Sequence, residues 1–251
     1  MRLVCAGTGT ASPEGDRACS GYWVESGQAR LLLDCGPGVV NSLARLQLPW
    51  SCLTHLLLTH FHNDHTGDVP YLLFALHYGL SEPRRAPLTV VGPVGTRALF
   101  QRLGAAFGRH VARPRFEVSI REVPPSGDVV LGGVRVRTHP TPHTRESIAY
   151  RLEVEGQAFG YTGDTGESAE LAGFFAGVDA LVAECSLPDD RAMDTHLTPA
   201  RLARMAVAAG PRVLVPTHVF PVLDRAALPG LLRAAGWAGE TVVAEDGLVV
   251  E

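Results

Sequence analysis

The sequence predicts an α/β fold in which two sheets pack face to face and helices flank them. Three observations carry that expectation. Short apolar strands recur along the chain with helical segments between them. Two of these strands run into the same dipeptide, Thr59-His60 after Leu57-Leu58 and Thr217-His218 after Val215-Pro216, so each half delivers a histidine from a strand end. No linker, low-complexity tract or composition break divides the 251 residues. That argues for one domain over residues 1–251.

The elements follow in order. Arg2 to Cys5 alternates as a strand. Tyr22 to Glu25 and Ala29 to Asp34 form a hairpin around Ser26-Gly27, and Asp34-Cys-Gly-Pro-Gly38 turns the chain into a helix reaching Leu46. Gly suits such a boundary because it tolerates strained backbone where an element changes direction. His55 to Leu58 is a buried strand, Val69 to Tyr78 an apolar helix, Leu88 to Val91 a strand and Val94 to Phe107 a helix. Arg109 to Arg115 reads as a solvated basic loop. Short strands follow at Phe116–Arg121, Asp128–Leu131, Val134–His139, Ile148–Glu153 and Gln157–Thr162. The pattern then alternates strictly: helix Ser168–Ala176, strand Ala180–Glu184, helix Thr198–Ala209, strand Val213–Pro216 and helix Arg225–Ala235. Asp246-Gly247 predicts a closing hairpin.

Composition excludes several classes. Hydrophobic residues make up 46% and charged residues 19%, ordinary for a globular chain, and the net charge of −4 gives no global attraction for nucleic acid or anionic lipid. Five scattered cysteines without a C-x-x-C pair argue against a disulfide framework and a thiolate zinc site. The chain opens directly on a strand, without a signal segment, and no apolar run is long enough for a membrane helix. These features predict a soluble cytoplasmic protein.

The chemistry concentrates in a ligand-bearing loop, Thr59-His-Phe-His-Asn-Asp-His-Thr-Gly-Asp68, where His60, His62, Asp64 and His65 fall within six residues. Imidazole and carboxylate suit Zn²⁺, Mn²⁺ or Fe²⁺, imidazole above all zinc. Adjacent side chains diverge, so four donors this close fit two ions better than one: His60 and His62 for the first, Asp64 and His65 for the second. A two-metal site needs about three protein ligands per ion, and further donors follow at strand ends. They are His143, Asp164 in Gly163-Asp-Thr-Gly166, and His218. Asp164 has two oxygens and can bridge the ions. Asp34 can brace a metal-bound imidazole from behind. His139 sits within a strand pattern, which favours a structural role, and His55, His77 and His110 have no partner in the pattern.

These motifs resemble the metallo-β-lactamase superfamily, and within it the ribonuclease Z-like phosphodiesterases. The H-x-H-x-D-H signature stands at His60 to His65. The third-motif histidine matches His143, ahead of Tyr150-Arg151; the G-D-T aspartate matches Asp164; and the last histidine matches His218. Gly7-Thr-Gly9 and Leu33-Asp-Cys-Gly36 extend the likeness over most of the chain. The resemblance implies a four-layer αββα sandwich. It also implies two metal ions, one held by His60, His62 and His143, the other by Asp64, His65 and His218, with Asp164 shared. It further implies that Glu184 orients His196, which assists the leaving group, while Asp64 positions a metal-bridging hydroxide that attacks phosphorus. Without the resemblance, His196 reads as the neighbour of a helix cap at Thr198.

The chain departs from that family in three places. No stretch between Leu88 and Val134 has room for the long basic arm that clamps tRNA. Arg17-Ala-Cys-Ser20 replaces an Asn-rich loop, and Val219-Phe-Pro-Val222 follows His218 where the family has a Ser-Pro-Arg-Tyr-like segment. The sequence shows no basic track for a nucleic-acid backbone. The expectation is therefore a dinuclear phosphodiesterase acting on a small phosphodiester or short nucleic acid. The alternatives are tRNA 3′-end processing, hydrolysis of a carboxyl ester, thioester or sulfate ester, or a metal-binding module without catalysis. A homodimer is open to it, since relatives commonly dimerise.

Overall fold

A computed structural model describes residues 1–251. In chain order the first half runs β1 (Arg2–Gly7), β2 (Gly21–Ser26), β3 (Ala29–Leu33), α1 (Val39–Arg45), β4 (His55–Leu57), α2 (Asn63–Thr66), α3 (Val69–Tyr78), β5 (Leu88–Gly92), α4 (Thr96–Phe107), α5 (Arg109–Ala112) and β6 (Val118–Glu122). The second half runs β7 (Asp128–Leu131), β8 (Val134–Pro140), β9 (Ile148–Val154), β10 (Gln157–Tyr161), α6 (Ala169–Phe174), β11 (Ala180–Glu184), α7 (Pro199–Ala209), β12 (Val213–Thr217), α8 (Leu228–Ala234), β13 (Glu240–Thr241) and β14 (Val249–Val250). No helix is long and apolar enough to cross a membrane.

Two seven-stranded sheets result, with orders β14-β1-β2-β3-β4-β5-β6 and β13-β12-β11-β10-β9-β8-β7. Both are mixed. Antiparallel hairpins begin each half, and three parallel pairings finish it: β3–β4–β5–β6 in the first sheet, β10–β11–β12–β13 in the second. Parallel strands need a crossover, and the helices that supply it pack on the outer faces.

The period-two alternation of strand side chains explains the layering. On β3, Leu31 and Leu33 face the other sheet, meeting Tyr150, Phe159 and Val182 in the central core. Leu32 faces outward to Val39, Leu43 and Leu72 on the helices. A third cluster lies between the second sheet and α6, α7 and α8, built on Leu181, Leu202, Ala206 and Leu232. The His55-Leu-Leu-Leu58 run is continuously apolar because both of its faces are covered. Helix, sheet, sheet and helix make the four-layer αββα sandwich.

Three local expectations need correction. Asp246-Gly247 is a turn, but it does not close a hairpin. β13 pairs parallel with β12, whereas β14 pairs antiparallel with β1 in the other sheet. The turn hands the chain across the sandwich, because each sheet has an unpaired edge there that only one short strand can fill. The ligand-bearing segment is not all loop, since Asn63 to Thr66 form the helical turn α2. Arg109 to Ala112 likewise wind into α5, which covers Gly104 of α4.

Leu57 sits fully buried between the sheets. Leu57→Ala should lower unfolding free energy by about 2–5 kcal/mol. Equilibrium urea unfolding measures this, with an unchanged slope on denaturant showing that the compact state is intact.

Candidate metal centre

The site lies at the carboxyl ends of the parallel strands in both sheets, where ligands collect in open α/β sheets. β4 ends in Thr59-His60, and α2 then carries Asp64 and His65. Across the sandwich, β10 runs out to Asp164, β11 to Glu184, and β12 to His218. Two glycines permit the close approach. A Cβ on Gly36 would fall 1.9 Å from the Asp64 carbonyl oxygen. Gly163, at φ 57°, packs its bare Cα against the Thr59 side chain from the opposite half.

All seven candidate ligands converge as two groups. Donor atoms of His60, His62, His143 and Asp164 lie within 4.8 Å of one another, as do those of Asp64, His65 and His218. Asp164 stands between them. Its Oδ2 is 3.6 Å from His143 Nε2 and 3.9 Å from His60 Nε2, while Oδ1 is 3.2 Å from His65 Nε2 and 3.7 Å from His218 Nε2. His218 Nε2 also lies 3.3 Å from Asp64 Oδ2. The Nε2 atoms of His60 and His65 and Oδ1 of Asp164 are buried with no hydrogen-bond partner. Buried polar atoms are rarely left so. Three orphans within the two converging groups, all of them metal-ligand types, fit divalent cations.

The opposite ring nitrogens are held from behind. His65 Nδ1 meets Asp34 Oδ2 at 2.8 Å, and His143 Nδ1 meets the Thr195 carbonyl at 3.0 Å. An ionised carboxylate or a carbonyl can only accept, so these Nδ1 atoms carry the proton and Nε2 keeps its lone pair for a metal. His60 Nδ1 lies 3.0 Å from Thr59 Oγ1, and His218 Nδ1 lies 3.0 Å from Ser186 Oγ.

Asp34 does more than brace His65. It also accepts hydrogen bonds from Thr59 N, Thr59 Oγ1 and the Tyr161 hydroxyl, each at 2.8 Å. Its φ of 59° is a conformation that short Asp side chains tolerate.

Glu184, fully buried, lies 3.0 Å from His196 Nδ1 and accepts from the backbone amides of Thr165 and Leu197 and from Ser186 Oγ. The His196 ring is half-buried, 4.8 Å from the His143 ring and parallel to that of His218 at 6.3 Å. Thr198 caps α7 as expected. His139, by contrast, packs on Phe174 outside both groups.

Electrostatics bind the cluster together. Burial works against charge on His65, yet Asp164 and Asp34 outweigh it and raise the imidazole well above its ordinary value. Burial likewise opposes ionisation of Asp164, but His218 and His65 hold it well below the usual carboxylate range. Burial and neighbouring His65 push His60 down. For His196, burial disfavours the cation, and the hydrogen bond and charge of Glu184 overcome it, so its pKa is raised.

Sequence reasoning missed a second set of supports. Asp246 Oδ1 accepts from Thr8 N and Thr8 Oγ1, and Oδ2 accepts from Ala18 N. The Thr8 carbonyl in turn accepts from His218 N, which helps hold His218 at φ 53°. Thr195, Ser186 and Tyr161 were equally unmarked. Their one signal is position, directly beside a predicted site residue or at a strand end.

Residues 29–219 match the family model for the beta-lactamase superfamily domain. The chain belongs to that superfamily of metal-dependent hydrolases. Among its relatives, it is 32% identical over 246 residues to Ribonuclease Z of Mycobacterium avium, the match spanning 89% of this chain and 87% of that one. It is 30% identical over 275 residues to Ribonuclease Z of Mycobacterium tuberculosis H37Rv, spanning 98% and 96%. These relatives place it in the ribonuclease Z-like branch. Two solved structures share the fold. They are the metallo-beta-lactamase fold protein YhfI from Bacillus subtilis (TM-score 0.87, 24% identity, 99% and 98% of the two chains) and the short form of human tRNase Z (TM-score 0.81, 22% identity, 100% and 99%).

Removing the Asp34 carboxylate strands four donors in a dry site. Asp34→Ala should cost about 3 kcal/mol or more of stability and weaken divalent-metal affinity about 10–100-fold. Chemical denaturation and competition against a chromophoric chelator read the two effects separately. Unchanged metal affinity would detach Asp34 from the metal centre.

Proposed function

We propose that residues 1–251 form one metallohydrolase domain that cleaves phosphodiesters with two divalent ions, zinc foremost and Mn²⁺ or Fe²⁺ as alternatives. His60, His62 and His143 hold one ion and Asp64, His65 and His218 the other. Asp164 serves both. The observation that carries this reading is the Asp164 carboxylate, which turns one oxygen to each histidine group. When bound, such a pair supplies Lewis acidity that activates water near neutral pH and neutralises charge on a transferring phosphoryl group.

The chain's own groups do the rest. Asp64 lines the cleft with Gly9, Thr10 and Asn63, where its carboxylate can accept a hydrogen bond from the attacking water and orient it. Glu184 accepts a hydrogen bond from His196 Nδ1–H, which turns Nε2 toward the cleft, and in the imidazolium form Nε2 carries the transferable proton. A phosphodiester leaving oxygen needs that proton as its bond to phosphorus breaks. The charge of Glu184 keeps the imidazolium populated. Proton donation to an alkoxide leaving group favours an oxygen ester over a thioester, whose less basic thiolate leaves without it, and likeness to proteins named Ribonuclease Z favours phosphorus over carbon as the centre attacked. Identity of 30–32% with proteins named Ribonuclease Z supports a nucleic-acid diester, including a tRNA 3′ end, as the natural form.

Hydrolysis of bis-p-nitrophenyl phosphate tests the reading. Chelation should abolish turnover, and Zn²⁺ or Mn²⁺ should restore it. Asp64→Ala and His65→Ala should lose both turnover and one equivalent of metal in elemental analysis; either variant working normally would refute the ligand set. His196→Ala should lower kcat about 10²–10⁴-fold with metal content unchanged. Full activity without His196 would leave the proton to solvent and remove it from the mechanism.

A further inference from the structure

We propose that the outer face formed by α3, α4 and α5 is a docking surface for single-stranded nucleic acid, gripped by arginines on phosphates and aromatics on bases. The proposal rests on the phosphodiesterase reading and gives its substrate a place to lie beyond the metals.

Charge is segregated onto this face. Residues 83–116 contain seven arginines and no Asp or Glu, whereas the other fifteen arginines share the chain with all 26 acidic residues. Arg84 is buried and ties the carbonyls of Ser51, Leu53 and Pro87, so it belongs to the fold. The other six are exposed. Arg97 bonds the Ile120 carbonyl, but the guanidinium groups of Arg85, Arg102, Arg109, Arg113 and Arg115 have no carboxylate partner. Elsewhere many exposed arginines are neutralised, as Arg135 is by Asp128 and Arg204 by Glu167, and those that are not (Arg121, Arg145, Arg191 and Arg233) are scattered along the chain. Folding therefore sets this acid-free stretch of sequence beside the aromatic stripe of α3, which corrects the expectation that no basic track exists.

Aromatic side chains interleave with these cations. Tyr71, Phe74 and Tyr78 are spaced along one exposed stripe of α3, and Phe107 ends α4. All four aromatics among the chain's exposed large hydrophobic side chains lie here. Phe74 packs 4.9 Å from His110 on α5, and the Arg115 guanidinium lies over the Tyr78 ring at 5.6 Å. Alternating planar rings and unpaired guanidinium groups are the chemistry that grips unpaired bases and their phosphates. A groove of about 580 Å³ continues the surface between α4, α5 and β6, with Arg97, Gln101 and Arg113 on a floor of Phe100, Phe116 and Ile120.

Position links this face to the chemistry. Gly95, just ahead of α4, packs against the ring of Phe61, which stands between His60 and His62. α3 begins three residues after Thr66, at the end of the same segment that carries Asp64 and His65. A strand whose scissile bond lies over the metals can thus continue along α4. Its charge makes a second copy a poorer occupant, because a two-fold contact would set this cationic face against itself.

The test is fluorescence anisotropy with a fluorescein-labelled 12-mer of oligouridylate and chelated protein, which binds without cleaving. The triple variant R109A/R113A/R115A should bind at least tenfold more weakly. Its dependence of log affinity on log salt should flatten by about 2, near 0.7 for each single-strand phosphate that an arginine no longer neutralises. Phe74→Ala with Tyr78→Ala should also weaken binding about tenfold or more, leaving the salt dependence in place. Both variants, metal-loaded, should hydrolyse bis-p-nitrophenyl phosphate at the wild-type rate. RNA binding unaltered in both variants, or absent from the wild type, would overturn the proposal. So would a Phe74/Tyr78 variant that turns a dimer into a monomer on gel filtration with RNA affinity unchanged, because the face would then belong to a second copy. Variant-sensitive RNA binding with no phosphodiester turnover in any metal-loaded form would instead retain the docking surface and refute the phosphodiesterase reading.

Discussion

Asp34 is the constraint on which the architecture turns. It leaves the end of β3, in the first sheet, and its carboxylate receives two donors from Thr59 at the end of β4, one from His65 on α2 and one from Tyr161 on β10 of the other sheet. A buried carboxylate is tolerable only when fully hydrogen-bonded. Here the donors that satisfy it are the parts that must be aligned. Movement of one sheet relative to the other would break the Tyr161 bond and leave charge uncompensated in a dry interior. The same group therefore sets the sheet spacing and the orientation of the His65 ring.

The second half reaches a comparable end by different means. Thr59-His60 and Thr217-His218 both close a strand, but the threonines work differently. Thr59 bonds Asp34 and His60, whereas Thr217 bonds the buried hydroxyl of Tyr22 at 2.6 Å across the sandwich. His218 takes its support from Ser186 on the neighbouring β11 loop instead. Glu184 joins this network through Ser186 Oγ, so the group proposed to steer the leaving-group histidine is also connected to His218. Replacing Ser186 would disturb both.

The outline of this site was legible because its chemistry is locally dense. Four donors within six residues mark a metal loop without reference to anything distant, and the strand-end placement of Asp164 and His218 follows from apolar runs that stop abruptly. The sandwich was likewise readable from two apolar strands that each end in Thr-His and from the helical segments between strands. What escaped detection depends on contacts between residues far apart in sequence. Thr8 and Asp246 are separated by 238 positions, and a Thr in a loop carries no mark of an aspartate that arrives from the other end. The last turn failed for a related reason. Asp-Gly specifies a reversal, but not which sheet will accept the strand beyond it. The basic stretch Arg109–Arg115 was visible but read as a solvated loop, because β5 separates α3 from α4 and α5 in sequence and only packing brings Arg115 over Tyr78.

The crossing made by residues 240–250 also bears on how the protein matures. β14 fills the edge beside β1, and the segment just before it fixes Thr8 and, through Thr8, the backbone of His218. During synthesis both sheets can form most of their pairings while this segment is still inside the ribosome. The metal centre cannot reach its final geometry until it emerges. Such late, long-range closure is slow. A nascent polypeptide that already carries His60, His62, Asp64 and His65 therefore still lacks the contact that fixes the backbone of His218 until residues 240–250 are in place.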